Sequence, residues 1–174
     1  MRKIKIASSS FLVPNNKAWS NLEETYKIEF SDYGNWVKTL LKSNSSEIVS
    51  IVLFLKDIII NENQSFFGLK KILTPFINVL QKRLKNAKEP TIVFLSEGSL
   101  ESPINFAKSQ SLNVKILNWV ITEIELLAKK FPNLYFVNLD RELSKIGLKN
   151  ALDKRNWYYA HCHLSSAGLF QLSK

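Results

Sequence analysis

Residues 48–55 read Ile48-Val49-Ser50-Ile51-Val52-Leu53-Phe54-Leu55, apolar at every position except Ser50. A strand with one wet face alternates apolar and polar residues, whereas a strand covered by helices on both faces is apolar nearly throughout. This segment therefore predicts a central strand of a parallel sheet. The apolar run extends to Ile60, but it contains Lys56 and Asp57 and is too short to span a bilayer.

Outward from this strand, the chain alternates strand-like and helix-like segments. Toward the N-terminus, Gly34 to Lys42 places Trp36, Val37, Leu40 and Leu41 at helical spacing. Tyr26 to Phe30 alternates as a strand, and Lys3 to Ala7 reads as another that ends in Ser8-Ser9-Ser10. On the C-terminal side, Ser65 to Lys85 carries Leu69, Ile72, Leu73, Phe76, Leu80 and Leu84 on one stripe. Thr74-Pro75 lies inside it and predicts a kink or a fresh helix start. Thr91 to Leu95 is a fourth strand, and the polar stretch Ser96 to Gln110, with Gly98 and Pro103, predicts a long loop. Leu117, Val120, Ile121, Ile124, Leu127, Ala128 and Phe131 mark an amphipathic helix stopped by Pro132-Asn133. Leu134 to Leu139 is a fifth strand. A short helix near Asp140 to Ile146, a loop and a last helix from Ser165 follow. The predicted fold class is α/β: a three-layer αβα arrangement around a flavodoxin-like, parallel five-stranded sheet. Residues 1–174 suit one domain. Lys174 falls barely two turns into the closing helix, as expected of the N-terminal part of a longer chain.

Composition excludes several chemistries. Two histidines, one cysteine and five glycines are present in the whole chain. One cysteine forbids an intrachain disulfide and a Cys-rich zinc site, and it fits a reducing, cytoplasmic address. Glycines at 34, 68, 98, 147 and 168 spell neither a dinucleotide fingerprint nor a phosphate loop, and there is no G-x-S-x-G elbow. No cofactor is expected. Twenty-four Lys and Arg against fifteen Asp and Glu leave +9, which favours anionic partners. The basic residues are dispersed, and several close predicted helices where cations complement the dipole, so a nucleic-acid stripe is not indicated.

Parallel α/β sheets bind ligands beyond the carboxyl ends of their strands, near the topological switch point. That directs attention to Ser8-Ser9-Ser10, Ser31 to Asn35, Lys56-Asp57, Ser96 to Ser99 and the surroundings of Asp140. The tail from Asp153 to His163 is predicted as a loop that returns late. A serine after the first strand with a late histidine supplies a nucleophile and a general base, because a neutral imidazole can remove the proton that keeps a hydroxyl unreactive.

Three blocks here resemble those of SGNH (GDSL-type) hydrolases. His163-Leu164-Ser165-Ser166-Ala167-Gly168 is similar to the family's last block, Ser8-Ser9-Ser10 falls at its Gly-Asp-Ser, and Asp32-Tyr33-Gly34 at its Asn-x-Gly. The resemblance implies Ser10 as nucleophile, His163 as base, and the Gly34 and Ser10 N–H groups as an oxyanion hole. This sequence departs at the third block, where Lys56 replaces an asparagine beside Asp57. It departs again at Ala160, which replaces the family's aspartate. Asp153 is then the carboxylate nearest in sequence to orient His163, while Ser8, Lys56, Asp57 and Arg155 fall at substrate-binding positions. Asp153-x-Arg155-x-Trp157-Tyr158 with Leu164-Ser165-x-x-Gly168-Leu169 also resembles the N-terminal SGNH-like domain of certain HAD-superfamily phosphatase-like proteins of polyketide and surface-polysaccharide pathways. Some of those load glyceryl units onto acyl carrier proteins, their chemistry residing in a following D-x-D-x-T domain. No D-x-D occurs in this sequence.

Each residue also has a structural role open to it. The serines can cap a strand-to-helix turn, His163 can bond to backbone, and Cys162 can be a small buried residue. Asp153, Arg155, Trp157 and Tyr158 can anchor the tail through an ion pair and ring packing. His161 and His163 could form a metal pair, but they lack an acidic cluster, so no metal site is assigned. Two functions follow: hydrolysis or transfer of a small acyl ester by Ser10 and His163, or binding without catalysis. In the second, the domain presents a substrate or an acidic acyl carrier protein to a HAD-type partner domain. Neither expects a membrane partner.

Overall fold

A computed structural model describes residues 1–12, 17–58, 65–96 and 112–174. Its strands are β1 (Arg2–Ser8), β2 (Tyr26–Phe30), β3 (Ile48–Phe54), β4 (Thr91–Ser96) and β5 (Leu134–Asn138). They form one parallel sheet in the order β2-β1-β3-β4-β5. β3 is buried at every position and feeds two cores in alternation. Val49, Ile51 and Leu53 face one, Ile48, Val52 and Phe54 the other. A side-chain period of two on a doubly covered strand requires this division.

A 3-10 turn (Lys17–Trp19) and α1 (Ser20–Glu23) connect β1 to β2, and α2 (Trp36–Lys42) connects β2 to β3. α3 (Leu55–Ile58) and α4 (Phe66–Asn86) lead to β4, and α5 (Leu112–Lys130) leads to β5. After β5 come α6 (Leu139–Ser144), α7 (Leu148–Ala151), α8 (Lys154–Ala160) and α9 (Ser166–Leu172). Helices α2, α4 and α5 cover the first core, while the 3-10 turn, α6, α7 and α9 supply the second. The result is the three-layer α/β architecture expected from the sequence.

Two local outcomes differ from the sequence-based expectation. Pro75 neither ends nor restarts a helix, because α4 runs through it. Proline in a helix interior costs about 3 kcal/mol. Leu69 and Leu73 before it, and Phe76, Ile77, Leu80 and Leu84 after it, are buried in one core; each buried chain of this size contributes about 1.5–3 kcal/mol. Burial on both sides therefore outweighs the proline. Pro75 itself lies on the exposed side. The second difference is in the tail, where α8 replaces a predicted loop. Among the described residues, no helix is long and apolar enough to cross a membrane. The predicted loop at Ser96 to Gln110 lies, after Ser96, outside the described residues.

Candidate functional site

The chain leaves β1 toward β2 on one side and reaches β3 and β4 on the other, so the switch point lies between the carboxyl ends of β1 and β3. Ser8-Ser9-Ser10 ends β1 there, Asp57 follows β3, and the segment after α8 brings His163 across them. All three serines are buried.

The serine hydroxyls are held by backbone and by one carboxylate. Ser8 Oγ accepts the Ser10 N–H at 3.0 Å. Ser9 Oγ accepts the Phe54 N–H at 2.8 Å and lies 3.3 Å from Asp57 Oδ2, to which it donates. Ser10 Oγ donates to the His161 carbonyl at 2.8 Å and accepts the His163 N–H at 3.3 Å. The His161 carbonyl also accepts the Phe11 N–H at 2.9 Å. The segment after β1 thus grips the tail through the Ser10 hydroxyl and the Phe11 amide.

His163 Nε2 lies 2.7 Å from Asp57 Oδ1. Both side chains are almost wholly buried, so the ion or hydrogen-bond partner each needs in a dry site is the other. The imidazole also packs against two aromatic rings. Trp157 stacks on it with centroids 4.2 Å apart and planes 7° from parallel, and Phe54 lies 4.7 Å away. The carboxylate beside His163 is therefore Asp57, in the place expected for Asp153. Asp153 is instead the N-cap of α8: its side chain accepts the Arg155 N–H at 2.9 Å. That amide, with a smaller contribution from the Arg155 side chain, holds its carboxyl below the ordinary aspartate value. Its own N–H donates to the His163 carbonyl. The Arg155 guanidinium lies 3.5 Å from Asp153 and is otherwise exposed.

Gly34 adopts φ +74, a left-handed conformation suited to glycine. Its N–H points to the Ser8 carbonyl at 3.3 Å. Both expected oxyanion donors, the Gly34 and Ser10 N–H groups, therefore end on Ser8. Tyr33 sits over this corner. Burial, with the Asp57 charge, raises its phenol above the usual tyrosine value. Among the described residues, a cavity of about 30 Å³ lies beside Ser8, Ser10, Phe30 and Tyr33, room for one or two waters. Lys56 is exposed at the head of α3. Cys162 is buried, which pushes its thiol up, and it bonds to the Leu164 carbonyl. Ser96, at the end of β4, bonds Asp140. Ser99 lies outside the described residues. Among the described residues, no three His, Cys, Asp or Glu side chains gather as a metal cluster.

Gly168, at the last of the resembling blocks, has a packing reason. A Cβ there would lie 2.2 Å from the Ala151 carbonyl oxygen. The close approach of α9 to α7 anchors the segment carrying His163, reinforced by the Ser165 N–H on the same carbonyl and the Leu152–Leu164 bridge.

The sheet order, the switch-point serines and the returning histidine define an SGNH-like α/β domain. Solved structures share this fold. The N-terminal part of the protein BF1531 from Bacteroides fragilis, containing a phosphatase domain and complexed with Mg, matches with TM-score 0.77 and 16% identity, over 99% of this chain and 49% of that one. A protein described as a GDSL-like lipase from Parabacteroides merdae matches with TM-score 0.51 and 12% identity, over 99% and 92% of the two chains. The protein YXIM from Bacillus subtilis matches with TM-score 0.51 and 16% identity, over 99% and 54%. This chain thus spans about half the length of the BF1531 and YXIM chains. No family model matches the sequence, and no curated protein matches it.

Proposed function

We propose that this chain is a non-hydrolytic SGNH-like domain, which binds a substrate or an acidic carrier protein for a HAD-type phosphatase-like partner domain. One observation carries the reading: every group that ester hydrolysis would use already has a partner within the chain. Ser10 Oγ is held between the His161 carbonyl and the His163 amide. The Gly34 and Ser10 N–H groups end on Ser8. Nε2 of His163 faces Asp57. A nucleophile needs a base within hydrogen-bond reach, and an oxyanion hole needs donors aimed at the developing charge. The polar groups here fasten the tail to the sheet. Support for such a partner comes from the +9 charge and from the likeness to half of a chain that contains a phosphatase domain.

A second reading, transfer of a small acyl ester, has one observation in its favour. The Asp57–His163 pair is a carboxylate–imidazole couple of the kind that orients a general base. It requires Ser10 to leave the His161 carbonyl and turn to the imidazole.

Turnover of p-nitrophenyl acetate by wild type, Ser10→Ala and His163→Ala separates the two. The expected result is the buffer rate for all three proteins. Turnover above buffer in wild type that both substitutions remove overturns the binding reading in favour of the second. For the partner, an acyl carrier protein is expected to be retained at low salt and released at high salt, as complementary charge requires; no salt-sensitive retention removes the carrier.

A further inference from the structure

The opposite end of the sheet holds a polar constellation that the proposed function does not use. Arg83, near the end of α4, is buried. Its Nε donates to Thr91 Oγ1 at 3.1 Å and its Nη2 to the Glu47 carbonyl at 2.7 Å. Nη1 has long contacts alone, 3.4 Å each to the Ser43 and Asn44 carbonyls, beyond the usual N–H···O range of about 2.7–3.2 Å. The nearest carboxylate, Glu47, is engaged elsewhere, by Lys5 at 2.9 Å and Lys3 at 3.4 Å. Arg83 is thus a buried cation with no carboxylate in contact, and burial lowers its pKa.

Arg83 is one of the residues lining a cavity of about 110 Å³ between the ends of α2 and α4. That is several times the roughly 10–15 Å³ one water needs, and enough for a small oxyanion. Ser43, Ser45, Lys82 and Asn86 line it with Arg83. Among the described residues, no carboxylate pairs with Lys82. The helix ends oppose an anion, because each C-terminus carries about −0.5 charge. Two such ends amount to about −1. Arg83 and Lys82, both in the lining, set two full positive charges against these ends, while Glu47 is already matched by Lys5 and Lys3.

We infer that this cavity is an anion site for a tetrahedral phosphoryl group, free phosphate or the head of a small phosphate monoester. Arg83 Nη1 and Lys82 supply the charge, and the Ser45 hydroxyl and Asn86 amide supply neutral donors. The site lies at the amino ends of the strands, across the molecule from Ser10 and His163, so a ligand there has no access to those groups.

The test is titration of the full chain with inorganic phosphate, with ethyl phosphate, and with sodium chloride at matched ionic strength. Amide shifts of residues 43–47 and the Arg83 Nε–H resonance report binding. The expected result is a saturable shift with phosphate and none with chloride. Lys82→Gln, on an exposed side chain, weakens binding by about tenfold or more, the loss of one charged hydrogen bond, and Ser10→Ala binds as wild type. Equal saturation by ethyl phosphate assigns the site to a monoester head, and saturation by inorganic phosphate alone assigns it to the free ion. Shifts that follow ionic strength in all three titrations, or unchanged affinity in Lys82→Gln, overturn the inference.

Discussion

The two ends of the sheet solve the same problem with different chemistry. Each buries polar groups in a place where an unmatched one costs about 1–3 kcal/mol. At the amino end the groups carry full charge at neutral pH: Arg83 ties residues 43–47 to β4, and Glu47 draws in Lys3 and Lys5. At the carboxyl end the groups are three hydroxyls, one carboxylate and one imidazole, and they tie the returning tail to β1 and β3. The amino end joins segments close in sequence, with at most 40 residues between Arg83 and its partners. The carboxyl end joins residues more than a hundred apart. A constellation with the residue types of a hydrolase can therefore serve as a latch.

If Arg83 is the main tie of the amino end, its removal should have the largest effect of any single change at either end. Arg83→Met keeps the aliphatic stem but leaves the Glu47 carbonyl and Thr91 hydroxyl without a donor. The expected loss is about 2–6 kcal/mol, from two buried acceptors left unmet at about 1–3 kcal/mol each, read as the midpoint of urea unfolding. A loss under about 1 kcal/mol shows that the network is dispensable, and the contrast between the ends disappears.

At the carboxyl end, the nature of the substitution should matter more than its position. Asp57→Leu leaves the His163 ring and the Ser9 hydroxyl without their acceptor, at an expected cost of about 2–3 kcal/mol. Asp57→Asn keeps an oxygen for His163 and an amide for Ser9, so the expected loss is within about 1 kcal/mol. A latch needs hydrogen bonds and tolerates asparagine. A general-base pair needs the carboxylate charge, and loses orders of magnitude in rate without it. Equal unfolding midpoints for the two variants break the latch description.

The fold was legible where one contact pattern dominates a whole segment. Residues 48–54 are apolar on both faces because helices cover both, and α4 and α5 each bury one stripe against the same core. α8 was hidden for the opposite reason: it has no fully buried residue, so Lys154 to Ala160 shows no apolar period. Asp153 was its one sequence signal, as an N-cap, but its proximity to His163 in sequence made it look like a catalytic carboxylate. Asp57 was among the predicted binding residues, yet its pairing with His163 spans 106 positions. No local rule connects them; the sheet order alone does, by placing the ends of β1 and β3 side by side.

The smallest effect, and the one that tests the charged end alone, is with pH. Burial pushes the Glu47 carboxyl up, but hydrogen bonds from Lys5, the Asn44 amide and Lys3, with the Lys5 charge, together hold it below its ordinary value of 4.5. A carboxyl with a lower pKa in the folded state binds fewer protons there than in the unfolded chain. Its contribution to stability is therefore complete above pH 4.5 and is lost as pH falls through the folded value. Glu47→Gln removes the titrating group and should flatten this part of the stability–pH curve, measured by urea unfolding between neutral pH and the acid limb. At neutral pH the same variant should be less stable than wild type, since Lys3 and Lys5 lose their shared carboxylate. A curve for Glu47→Gln that keeps the wild-type slope below pH 4.5 would assign the acid sensitivity to other carboxylates, with Asp153, also held below its ordinary value, the next to replace.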